Sequence, residues 1–180
     1  HLLDVAICEE TMRFNRLFVL PLALSAAATV SIGCIELTLV RGDGNVVSDV
    51  RDHADFDKVA IGSFADSLIT LGDDYDVEVT CDENLLEHFE TRVEDGTLHV
   101  EQPIGVILET ESTCGVHITL PAVTELINAG SGRMTSDDEL ISLAHAVNTG
   151  SGGMYLANAH QDDALALSNT GSGDLVVDDV

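Results

Sequence analysis

The chain has 180 residues, 45% of them hydrophobic, and its 32 acidic against 7 basic residues leave a formal charge of −25. That size and apolar content fit one domain with a buried core and exclude a disordered chain, while the charge repels polyanions and excludes nucleic acid as a partner. Lys58 is the only lysine, and the acids read first as a solvated face that keeps the protein soluble.

Residues 1–11, "HLLDVAICEET", precede Met12 and read as a non-native upstream extension. Residues 12–34 read as a secretory signal, with Arg13 and Arg16 before the apolar run "LFVLPLALSAAATVSIG". The signal ends in "SIGC", which resembles a bacterial lipobox and makes Cys34 the expected lipidation site, although Ser31 stands where that pattern prefers an aliphatic residue. Two other readings are ordinary cleavage near the alanines 26–28 and an uncleaved anchor over 17–35, a run long enough to cross a bilayer. All three expect residues 35–180 in the cell envelope, in the periplasm or at the outer membrane and cell surface, with the membrane as the N-terminal partner. In that oxidising space Cys81 and Cys114 are candidate disulfide partners, with two buried free thiols as the alternative. No CxxC spacing is present, which disfavours a zinc site.

Residues 35–55 contain a Gly-Asp-Gly turn and few large apolar residues, and read as a tether. From Phe56 the apolar residues alternate through "FDKVAI", "DSLITL" and "YDVEVT", the pattern of short strands between tight turns. In "DENLLEHFETRVEDG" the residues Leu85, Leu86, Phe89 and Val93 share one helical face, so a short helix is expected near 83–93, capped by Asp82 and closed by Gly96. "TLHVEQP" and "GVHITLP" return to strand.

The last third repeats itself. "NAGSG", "NTGSG" and "NTGSG" begin at Asn128, Asn148 and Asn169, about twenty residues apart, which is a solenoid period. Each coil of such a stack pairs in parallel with its neighbours about 4.8 Å away. The triplets Gly130-Ser131-Gly132, Gly150-Ser151-Gly152 and Gly171-Ser172-Gly173 then read as corners, where the backbone needs φ > 0 or a side chain would strike the next coil. The asparagines and serines are expected to stack in ladders, and Met134, Met154 and Leu175 to share an inward site.

At this point the chain resembles the "putative auto-transporter adhesin head GIN domain" family, a domain of unknown function. The resemblance covers roughly 46–180 and rests on "FDKV", the "DENLLE" to "DGTL" segment, "ITLP" and the GSG units, in that order. It implies an exported, often lipid-anchored bacterial protein built as a single-stranded right-handed parallel β-helix, and it supplies no catalytic residues. The expected domain is therefore an all-β solenoid over 56–180, and since parallel coils need a capped end, two readings stand for its C-terminus: a fragment, or an end covered by a partner.

The GSG serines lack the G-x-S-x-G spacing of a nucleophile elbow, and "GSGG" lacks the lysine of a phosphate loop. Asp137, Asp138, Asp178 and Asp179 are weak calcium candidates, the two pairs falling on matching turns roughly 9–10 Å apart, without the repeated G-G-x-G-x-D motif. No other cofactor is expected. His145 and His160 have no repeating relationship, and Tyr155 is the only aromatic residue in the repeats, so a strong sugar-stacking platform is absent. The resulting expectation is a non-enzymatic envelope protein for surface presentation or adhesion, contacting a glycan or an envelope protein. Its alternatives are a polysaccharide-active β-helix enzyme and an envelope scaffold.

Overall fold

The computed structural model describes residues 3–5, 37–157, 159 and 165–178. The expected signal and Cys34 lie outside the described residues. The strands are β1 (Leu3–Val5), β2 (Leu37–Arg41), β3 (Val46–Val50), β4 (Lys58–Gly62), β5 (Asp66–Leu71) and β6 (Asp76–Asp82). A 3-10 helix at Glu83–His88 leads to β7 (Glu90–Glu94), β8 (Thr97–Glu101), β9 (Val106–Glu109) and β10 (Gly115–Leu120). Three strand pairs follow: β11 (Glu125–Asn128) with β12 (Met134–Ser136), β13 (His145–Asn148) with β14 (Met154–Ala157), and β15 (Ala166–Asn169) with β16 (Leu175–Asp178).

The alternation of apolar residues is what builds the core. Val59 and Ile61 of β4, Ile69 of β5, Val77 and Val79 of β6, and Ile118 of β10 point inward while their neighbours point out. Among the described residues the strands form three sheets: one of seven strands in the order β16-β14-β12-β5-β10-β6-β3, one of six in the order β15-β13-β11-β4-β8-β7, and a small one of β1-β2-β9. Buried side chains from both large sheets meet in a single apolar core.

The repeated coils pair in parallel and in the expected register. Asn128 is level with Asn148, and Asn148 with Asn169. On the other sheet Met134 is level with Met154, and Met154 with Leu175, the two methionines being fully buried. A further coil precedes them: β4 and β5 pair in parallel with β11 and β12, joined by the corner Ser63-Phe64-Ala65. That corner carries no glycine: its strands are backed by β8 and β10 and not by another GSG unit.

Three expectations are corrected. A parallel β-helix throughout 56–180 does not describe the sheets, which are mixed and not closed: β6 runs antiparallel to β3 and β10, and β7 antiparallel to β8. The expected helix over 83–93 stops at His88, and Glu90–Glu94 is a strand. The cause is Asp95-Gly96, whose φ of 50° and 74° make the tight turn of a hairpin, so Val93 pairs with Leu98 and does not continue the helical face. Leu85, Leu86 and Phe89 are nevertheless buried, as the shared face required. The segment read as a tether carries β2 and β3, and β3 adds to the seven-stranded sheet because Val47 packs its short side chain toward the core beside Cys81.

Asp82 pins these capping segments. Its buried carboxylate accepts hydrogen bonds from Thr110 Oγ1 at 2.5 Å and Ser112 Oγ at 2.7 Å. The Thr110 hydroxyl above all, then Ser112 and the Gly44 amide, hold its carboxyl below the usual range. A depressed folded value contributes stability above the unfolded value and loses it as pH falls through the folded one. Thermal melts of Asp82→Asn are therefore expected to lie below wild type at neutral pH and to approach it below the carboxylate range. A constant offset across that range would remove the carboxylate from the acid response.

Candidate ligand-binding face

The corners are built by backbone contact. Thr149 and Gly150 donate their N–H groups to Asn128 O at 2.9 and 3.1 Å, and Thr170 and Gly171 repeat this on Asn148 O at 2.9 and 3.2 Å. A Cβ on Gly130, Gly150 or Gly171 would fall within the carbonyl oxygen of Ser63, Gly130 or Gly150 in the coil beneath, and Gly132, Gly152 and Gly173 are crowded in the same way. The left-handed alternative is not used, since the glycines with positive φ are Gly44, Gly96 and Gly105. Asn148 Nδ2 reaches Asn169 Oδ1 at 3.3 Å, one rung of the expected amide ladder, but Asn128 Nδ2 donates to Gly132 O at 3.0 Å, so the ladder does not continue to Asn128. Ser131, Ser151 and Ser172 face solvent.

These corners deliver the next residue outward. The residue after each GSG unit, Arg133, Gly153 or Asp174, opens a row across the outer face of the seven-stranded sheet, continued by Asp66 and Gly115. The adjacent row is Val176, Tyr155, Thr135, Leu68 and His117. Gly153 has no side chain, and the Tyr155 ring lies over the gap, with Cε2 at 2.6 Å from where a Cβ would sit. The Arg133 guanidinium stands 5.3 Å from that ring's centroid, within cation–π range. Among the described residues it forms no ion pair, while its backbone N–H donates to Asp66 Oδ1 at 2.8 Å. A hollow of about 350 Å³ opens between Asp66, Arg133, Tyr155 and Asp174.

The other candidates separate. Cys81 and Cys114 form a disulfide with Cα atoms 4.4 Å apart. Asp138 Oδ2 accepts the Leu71 N–H at 2.7 Å and so ends β5, while Asp137 and Asp178 are exposed around a smaller depression beside Tyr155. Asp179 and His160 lie outside the described residues, and His145 is exposed on the six-stranded sheet. Among the described residues no group of three or more His, Cys, Asp or Glu side chains is placed to hold a metal ion. The sequence singles out Tyr155 only as a lone aromatic too sparse for a sugar-stacking platform, and nothing in it joins that residue to Arg133 and Gly153. The signal available was the repeat itself: aligned on GSG, the outward positions that differ between coils hold them.

No curated protein matches the chain. Among solved structures, one described as a putative lipid binding protein from Parabacteroides distasonis is similar at 22% identity with a TM-score of 0.61, over 78% of this chain and 61% of that one. A second, described as a putative adhesin from the same organism, is similar at 18% identity and a TM-score of 0.54, over 78% and 68%. A third, a putative cell adhesion protein from Clostridium sporogenes, stands at 14% identity and 0.52, over 74% and 73%. At these identities the likeness is one of fold. The family model described as "Putative auto-transporter adhesin, head GIN domain" matches residues 55–178, well over half of the sequence, and the chain belongs to that family.

Proposed function

We propose that the chain is a non-enzymatic cell-envelope adhesion domain, exported and held to the membrane through a lipid on Cys34. Its GSG coils wind as a right-handed parallel β-solenoid, and the outer face of the seven-stranded sheet is what they present. The observation that carries this reading is the Arg133–Tyr155–Asp174 hollow, an exposed polar and aromatic site on strands locked in register by glycine corners. Rigid elements of this kind hold binding groups better than loops do. Support also comes from the family and from similar folds that carry adhesion descriptions. The repeated serines serve the corners, which favours architecture over catalysis there.

The test has two arms. The full chain is incubated with bacterial envelope fractions and whole cells while released reducing sugar ends are assayed. Saturable binding without sugar release is expected, and release of sugar ends would replace this reading with an enzymatic one. In an expressing bacterium, Cys34→Ala is expected to move the protein from the membrane fraction to the soluble envelope fraction. Unchanged membrane association would mean that the apolar run itself is the anchor.

A further inference from the structure

Two gaps interrupt one cross-strand row of the seven-stranded sheet. Gly153 sits between Arg133 and Asp174, and Gly115 sits between Asp66 and Thr80. Each gap opens a hollow, of about 350 Å³ at Gly153 and about 230 Å³ at Gly115. From one to the other the row crosses three strand spacings, roughly 14 Å. Asp66 stands between them and lines both, while Arg133, whose backbone N–H it accepts, lines the first.

The lining selects an occupant. The first hollow offers the Ser131 and Ser151 hydroxyls, the Asp66 and Asp174 carboxylates, and an Arg133 guanidinium without an ion-pair partner among the described residues. The second is lined by Thr80, already 2.7 Å from Ser48 Oγ, and by His117, whose Nε2 is 3.0 Å from Thr70 Oγ1, beside the half-exposed Leu68. Donors and acceptors are thus mixed around small apolar surfaces, Tyr155 in one hollow and Leu68 in the other. An acyl chain would strip water from Asp66, Asp174 and Arg133 without replacing its hydrogen bonds. An acidic polymer would meet a chain of net charge −25. A neutral sugar has hydroxyls that both donate and accept, and a C–H face that lies against an aromatic ring.

We propose that this row binds a linear neutral glycan laid along the coil axis, with one ring against Tyr155 in the Gly153 hollow and a later ring of the same strand in the Gly115 hollow. Arg133 holds the tyrosine ring in place and donates to sugar hydroxyls. The proposal rests on the adhesion reading and gives it a ligand class.

The experiment titrates the full chain with soluble dextran, mannan and xylan, and with alginate as the acidic comparison. Saturable binding of at least one neutral polymer is expected, weakened about tenfold by Tyr155→Ala. Gly153→Ala is expected to melt as wild type does, because its Cβ meets only the movable end of Tyr155. It should still weaken binding, since the ring must swing away. Preference for alginate, wild-type affinity in both variants, or binding of none of the neutral polymers would overturn the proposal. If the chain binds whole cells while no neutral polymer competes, the adhesion reading stands and the glycan assignment falls. Binding to neither removes both.

Discussion

Gly150→Val is expected to destabilise the protein by about 3–5 kcal/mol and to lower its melting temperature by about 10 °C. The reason lies in backbone, not side chains. A Cβ at Gly150 would occupy the space of the Gly130 carbonyl oxygen, and no rotamer change can move that atom. Relief requires the coil to lift, which stretches the bonds from Thr149 and Gly150 to Asn128 O and from Gly152 to Gly130 O, at 2.9, 3.1 and 3.2 Å. Lifting also opens the packing of Met134 against Met154, both fully buried and level with each other. Gly62→Ala is the control, since the nearest atom to its Cβ is the Glu101 Cγ at 3.4 Å, and an effect within about 0.5 kcal/mol is expected. Equal melting of Gly150→Val and wild type in calorimetry would mean that the coils are not stacked at this spacing.

That corner also shows where sequence was a sufficient guide. A residue that must be absent, such as a Cβ between stacked carbonyls, leaves the same spelling at every coil, so the period, the register and the inward methionines could be read directly. The preceding coil lacks that spelling because its corner, Ser63-Phe64-Ala65, faces β8 and β10 and tolerates side chains. The β7–β8 hairpin was obscured by a genuine coincidence: Leu85, Leu86, Phe89 and Val93 do face the core, but across a 3-10 turn and a strand. Asp95-Gly96 was the better signal there. Repetition hid the candidate site for the opposite reason. Arg133, Gly153 and Tyr155 belong to outward columns that do not recur, so no shared spelling marks them. Asp138 looked like a ligand because a carboxylate that closes a strand, here on the Leu71 N–H, has the same composition in sequence as one that binds a cation.

The second large effect is expected at the other end of the stack. Replacing both Cys81 and Cys114 by alanine should cost about 3.5 kcal/mol, the loop-closure entropy of a bridge that spans 33 residues, again about 10 °C in melting temperature. Both cysteines are buried where the seven-stranded sheet changes sense, with β10 parallel to β5 on one side and antiparallel to β6 on the other. The loop that the bridge closes contains the 3-10 helix and strands β7, β8 and β9, the segments that cap the repeated coils. Without the bridge these segments depend on Asp82 with its two hydroxyl donors, on the β4–β8 ladder and on Leu85 and Phe89 in the core. Hydrogen exchange is therefore expected to rise first across Glu83–Glu101 and only later in the GSG coils. Reduction of the wild-type protein should reproduce the double variant, which ties full stability to an oxidising compartment. A double variant within about 1 kcal/mol of wild type would show that ladder and core hold the cap unaided, and would remove the compartment from the account of its stability.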